Sequence, residues 1–111
     1  MSSQRIERVN TLMQQSLGEI VLREVELPQE SFVTISKVQT SKDLQQARVL
    51  LMIQPEMQEA FIMQLLNKHR PYLQHLLHQQ IKLRYSPKIF FVVDEQAKKV
   101  ARIESILNRL G

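Results

Sequence analysis

The sequence predicts an α+β fold, a two-layer sandwich of helices on a three-stranded sheet, and three observations carry that expectation. Stretches with apolar residues every three or four positions alternate with short stretches of strand character. The strand stretches number three, too few to close a barrel. Each helical stretch has one apolar stripe, which must be covered by a second layer. With 111 residues, one domain spanning 1–111 is the expected organisation, large enough for a single core without cross-links.

The elements follow in order. Ser2 or Ser3 can cap a first helix, in which Ile6, Val9, Met13, Leu17 and Ile20 fall on one face. Gly18 weakens that helix relative to alanine and suggests the close approach of a neighbouring backbone. Pro28 marks a turn, and Ser31–Val38 reads as a strand. A turn at Thr40–Asp43 leads to a second strand from Gln46 to Ile53, so the two should form a hairpin. A helix then starts at Pro55, with Met57, Ala60, Phe61 and Leu65 as its core stripe and Ile62 and Leu66 on a second side. Pro71 predicts a break: an interior proline removes a backbone donor at a cost of roughly 3 kcal/mol, whereas at a helix start it costs almost nothing. A second, shorter helix with Leu73, Leu76 and Leu77 inward is therefore expected, the joint being Lys68-His69-Arg70-Pro71. Ile81–Tyr85 alternates apolar and basic residues, and Pro87 after it argues for a strand start or an edge. Lys88–Val93 is the most apolar strand and reads as central, covered on both faces. Asp94 should cap a last helix whose Val100, Ile103, Ile106, Leu107 and Leu110 are expected to be buried.

Composition excludes much. No cysteine means no disulfide, no thiolate zinc site and no cysteine nucleophile. No stretch approaches the ~18 apolar residues of a membrane span, and the first residues lack a signal peptide's apolar block. A cytoplasmic location without membrane attachment is the expectation. With Gly18 and Gly111 as the only glycines, phosphate-cradling loops are absent. His75 and His78 are spaced to share a metal, but no further ligand lies nearby, so no metal or other cofactor is expected. Asp43 and Asp94 have structural explanations in a turn and at a helix cap. No catalytic residue, enzymatic activity or small-molecule substrate is expected.

The formal charge of +4 is unevenly spread, with residues 1–66 at −2 and residues 67–111 at +6. That polarity points to an acidic partner, of which a polyphosphate backbone is the commonest. Candidate nucleic-acid contacts are Arg5 and Arg8 near the start of the first helix, Lys42 in the hairpin loop and Arg48 on the second strand. Lys68, His69 and Arg70 follow at the joint, where free N–H groups of a new helix would favour an anion. Lys82, Arg84 and Lys88 alternate beyond it. Tyr72 and Tyr85 could stack on unpaired bases.

Three ordered patches extend this reading. Arg5-Ile6-Glu7-Arg8-Val9 resembles the opening R-x-x-R-V of the ribosome-binding factor A family. The run Val33–Val38, then Ser41–Leu44, then Ala47-Arg48-Val49 is similar to that family's strand–loop–strand signature. Leu83–Asp94 resembles its L-R-x-x-P-x-L-x-F-x-x-D block. The resemblance implies a KH-like fold of type II order and binding to the small ribosomal subunit and its rRNA during late assembly. It further implies help in maturing the rRNA 5′ end, with no catalysis. It departs at the joint, where the family's Ala-x-Gly kink is replaced by His69-Arg70-Pro71, and in lacking a longer C-terminal tail. A monomer is expected. The alternative is an α+β protein-interaction module without RNA binding, using the acidic N-terminal half or the Ile62/Leu66 side.

Overall fold

A computed structural model describes residues 3–82 and 86–110. The first helix, α1 (Ser3–Glu24), precedes the strands β1 (Phe32–Thr40) and β2 (Gln46–Gln54). A short 3-10 turn (Glu56–Gln58) leads into α2 (Glu59–Ile81), followed by β3 (Lys88–Val93) and α3 (Glu95–Leu110). The expected α+β class and three-stranded sheet are therefore present. The Leu83–Tyr85 part of the alternating segment lies outside the described residues, while Ile81 ends α2 and Lys82 caps it in a left-handed conformation (φ 43°).

The strand order is β1-β2-β3, with β1 antiparallel and β3 parallel to β2. A parallel neighbour needs a long crossover, which α2 supplies. The most apolar strand, β3, is thus an edge strand and β2 is central, contrary to the expectation from composition. The apolar run of β3 divides by side: Ile89 and Phe91 are buried, whereas Phe90 between them is exposed.

One core joins both layers. Val9, Met13, Leu17 and Ile20 of α1 meet Ile35 and Val38 of β1, Ala47, Val49, Leu51 and Ile53 of β2, and Ile89 and Phe91 of β3. Ile62, Leu66, Leu73 and Leu77 of α2 complete it, each fully buried and each contributing about 1.5–3 kcal/mol by leaving water. These four recur in register across Pro71, and α2 runs through that proline as a single helix. The predicted break is absent because burial of one continuous stripe outweighs a local defect. Pro71 and Asn67, the residue whose carbonyl loses its donor, are both exposed, so the unpaired carbonyl lies on the wet side. The same rotation exposes Ala60 and Phe61, and Met57 in the 3-10 turn is exposed too, all three expected in the core; it also closes the Ile62/Leu66 side to any partner. Gly18 has open space around its Cα rather than a neighbouring backbone.

At residue Ser36 the β1–β2 register slips, leaving that residue unpaired. The bulge turns its Oγ to donate to Asp94 Oδ2 at 2.6 Å, while Asp94 Oδ1 accepts from the Ala97 N–H at 2.9 Å. Asp94 is thereby the expected N-cap of α3 and also ties that corner to β1 across the sheet. The Ser36 hydroxyl and the backbone N–H of Ala97 hold its carboxyl below the usual aspartate range.

The helix α3 differs from the other two. Its expected buried stripe is exposed, Ile103 at 51% and Leu110 at 81%. Lys98, Arg102, Ser105 and Arg109 line a groove of about 910 Å³ shared with Phe32, Met52 and the Pro55 turn. At 100° per residue the apolar stripe lies roughly 140° round the helix from that side. Ion pairs decide the orientation. Lys98 Nζ lies 2.8 Å from Glu59 and 3.0 Å from Glu56, and Arg102 also pairs with Glu56. The charged side of α3 faces the domain and the apolar side faces out.

Candidate nucleic-acid interface

The helices α1 and α2 cover one face of the sheet; on the other, α3 lies beside Phe32 and Met52 and the hairpin end is left open. Register fixes what stands on that second face. Gln39, Arg48 and Phe90 are opposite one another across the three strands, as are Lys37, Leu50 and Val92 in the next row. Lys88 pairs with Gln46 in the row beyond, towards the hairpin loop. Side chains two apart along a strand share a face, so Lys88 and Phe90 are neighbours on the same side. The Lys88 Nζ is 5.6 Å from the centre of the Phe90 ring. From α2, in the other layer, Arg70 reaches round the free edge of β3 and places its guanidinium 5.8 Å from the same ring. Arg48 Nη1 is 3.4 Å from Gln39 Oε1, a weak contact that leaves most of its donors free.

The loop at this end of the sheet is tightly built. Asp43 Oδ1 accepts from Ser41 Oγ at 2.6 Å and from the Gln45 N–H at 3.1 Å, and these donors hold its carboxyl below the ordinary value. Leu44 adopts φ 60°, a conformation unusual for leucine, and its side chain is buried. Lys42 stands exposed in that loop. The side chain of Asn10 accepts from the Thr40 N–H at 3.0 Å, which brings the N-terminal half of α1 to the same pole. Arg5 and Arg8 are therefore carried there as exposed side chains. Gln74 closes the pole from α2: its amide donates to Pro87 O at 3.0 Å and accepts from the Ile89 N–H at 2.8 Å. Arg70, His75, His78 and Lys88 border a shallow depression beside it.

Several predicted residues are distributed differently from expectation. Lys68 is exposed and lies about 200° round α2 from buried Leu66, nearly opposite Arg70. His69 bonds within its own helix through one ring nitrogen: its Nδ1 is 2.9 Å from Leu65 O, and since a carbonyl only accepts, this nitrogen donates. No helix begins at Pro71, so no ring of free N–H groups exists there for an anion. Tyr72 is already engaged, donating its hydroxyl to Glu24 Oε1 at 2.9 Å; the carboxylate pushes the phenol's titration up. Arg84 and Tyr85 lie outside the described residues. Lys82 is exposed at the end of α2. The structure thus gathers Arg5, Arg8, Lys42, Arg48, Arg70 and Lys88 towards one pole. Lys37 and Phe90 join them and were not singled out from sequence. The alternation of β3 held the clue to Phe90, once β3 is known to be an edge.

Among the described residues only Arg23, Lys98 and Arg102 form ion pairs with carboxylates; none of the cations at the pole does. Also among these residues, no group of three or more His, Cys, Asp or Glu side chains could hold a metal, and no helix is long and apolar enough to cross a membrane.

Comparison with known proteins now adds to this geometry. The ribosome-binding factor A family profile matches residues 5–107. The chain belongs to that family. It is 38% identical over 107 residues to ribosome-binding factor A of Coxiella burnetii, covering 96% of this chain and 90% of that one. It is 31% identical to the Halothermothrix orenii protein of the same name, over 99% of this chain and 91% of that one. Among solved structures, Thermus thermophilus ribosome-binding factor A superposes with a TM-score of 0.71 at 18% identity, covering 79% and 94% of the two chains. A Thermotoga maritima protein described as a putative ribosome binding factor A gives 0.66 at 26% identity, covering 83% and 89%. A Thermus thermophilus ribosome-binding factor A homology model, fitted into the cryo-EM map of a complex with the 30S subunit, gives 0.64 at 22% identity, covering 75% and 88%. The last two likenesses and the first concern the same three-stranded α+β fold.

Proposed function

We propose that this chain is an assembly factor of the small ribosomal subunit that binds the subunit through rRNA phosphates. It acts late in biogenesis and assists maturation of the rRNA 5′ end. It performs no catalysis itself and works in the cytoplasm as a single, monomeric KH-like unit. One observation carries the reading: cations from α1, the hairpin loop, β2, α2 and β3 converge on one pole with no carboxylate partners among the described residues, whereas Lys98 and Arg102 elsewhere are neutralised. Unpaired cations on a shared surface are what a polyphosphate strand requires. Family membership and the 30S complex described for the Thermus thermophilus relative support the same partner.

Co-sedimentation with purified small subunits across a salt series tests this. If about five phosphates are neutralised, affinity should fall by roughly two to three orders of magnitude between 50 and 200 mM salt. A variant with Lys42, Arg48, Arg70 and Lys88 all changed to alanine should bind weakly with a flatter salt slope and unaltered circular dichroism. Undiminished binding by that variant would remove the pole from the interface.

A further inference from the structure

We infer that Phe90 is a stacking platform for one unpaired base of single-stranded RNA, held between phosphate-directed cations; the inference rests on the RNA-binding reading above and assigns a ligand to its centre. Phe90 is 37% exposed on the face of the sheet opposite α1 and α2, in a row with the exposed Gln39 and Arg48. Its neighbours explain why it is not merely core. The inward residues Ile89 and Phe91 on either side already fill the hydrophobic interior. A polar side chain, like Gln39 or Arg48 in the same row, would satisfy an outward strand position. Instead a large ring stands out among Lys37, Arg48, Arg70 and Lys88, two of which approach within 6 Å of its centre.

That combination has a specific use. An aromatic face supplies stacking that tolerates any base, because every base has a π-face. The long cationic side chains lying over the ring can swing to the phosphates flanking a stacked nucleotide, and the arginine plane can add to the stack. The platform is small. Arg48 on β2 flanks it on one side and the free edge of β3 bounds it on the other, so a single ring is offered to one base rather than a run. A duplex offers no free base face, so the site discriminates for strands that are unpaired, such as the loops and ends on which sequence-selective RNA recognition relies.

The chain has no tryptophan, so Phe90→Trp places the only one at the proposed platform. Titrating that variant with an eight-residue oligouridylate and an eight-residue oligoadenylate should quench its fluorescence, whereas an RNA duplex of equal length should not. Phe90→Ala should lower affinity for the single strands by roughly 5- to 100-fold while leaving duplex affinity and the salt slope unchanged. Phe90→Leu, which keeps apolar volume on the strand, should behave like the alanine variant; normal binding by it would mean that the ring is packing only. Equal losses for single strand and duplex, or no quenching in a variant that still binds, would overturn the stacking role while the ribosomal reading stands. If the unaltered chain binds neither oligonucleotide nor small subunits, both readings fall together.

Discussion

The pole around Phe90 and the flank formed by α3 are built from similar residues put to opposite uses. Both combine lysine and arginine with exposed apolar side chains. On α3 the cations turn inward: Lys98 sits between Glu56 and Glu59, whose carboxylates raise its titration, and Arg102 joins Glu56. The apolar stripe is left facing water. At the pole the cations turn outward with no acidic partners among the described residues, and Ile89 and Phe91 beneath them are buried while the Phe90 ring is exposed. Net charge along the chain does not distinguish these regions, since Lys98 and Arg102 count towards the basic half as fully as Arg70 and Lys88. What distinguishes them is whether a carboxylate lies within reach in the folded chain.

The largest effect should come from stripping the pole. Changing Arg48, Arg70 and Lys88 together to alanine should weaken small-subunit binding roughly 100- to 500-fold near 0.1 M salt, if each neutralises one phosphate. Changing the carboxylate-paired Arg23, Lys98 and Arg102 instead should alter it only a few-fold. Equal losses from the two triple variants, measured by co-sedimentation, would erase the contrast. Next in size are the apolar sides. Leu73→Ala removes a fully buried side chain and should cost about 2–5 kcal/mol in urea unfolding, whereas Ile103→Ala on the exposed stripe should stay within about 0.5 kcal/mol. A large loss at Ile103 would mean that α3 is covered in solution.

Smaller effects probe the supporting frame. Pro71→Ala restores a donor to the middle of α2 and should raise stability by roughly 1–3 kcal/mol, less the freedom the unfolded chain regains. Subunit binding should be unchanged, since the proline makes no joint. Gly18→Ala has room for its methyl group and should stabilise α1 by about 0.5–1 kcal/mol, read as a higher unfolding midpoint. The smallest contribution is tied to pH. The native-state pKa of Asp94 lies below its unfolded value, so its stabilising effect is complete above about pH 4 and is lost as the pH falls through the native titration range. Asp94→Asn should lower the neutral-pH midpoint and reduce the acid sensitivity of unfolding, monitored by circular dichroism.

Much of this architecture is written in local pattern. The α1 stripe of Val9, Met13, Leu17 and Ile20, the β1–β2 hairpin and the Asp94 cap follow from spacing and side-chain chemistry, because each depends on neighbours within a few residues. The motif patches likewise carry the family in short ordered runs of the chain. The rest depends on distant partners. A proline's local cost forecast a broken helix, but Ile62, Leu66, Leu73 and Leu77 share one stripe across it, and their common burial prevails. The α3 periodicity forecast a buried face, but Glu56 and Glu59, some forty residues earlier, hold the opposite side.

The sequence by itself determined the element types, the hairpin, the overall positive charge and the family, since propensity, periodicity and motif order are properties of the chain. Only the tertiary structure decided that β3 lies at the sheet edge with Phe90 outward, and that Arg48, Arg70 and Lys88 converge there while Lys68 does not. The physical reason is register: the pairing of strands and the rotation of α2 set which side of each element meets its neighbour, and a pairing or rotation cannot be read from either segment alone.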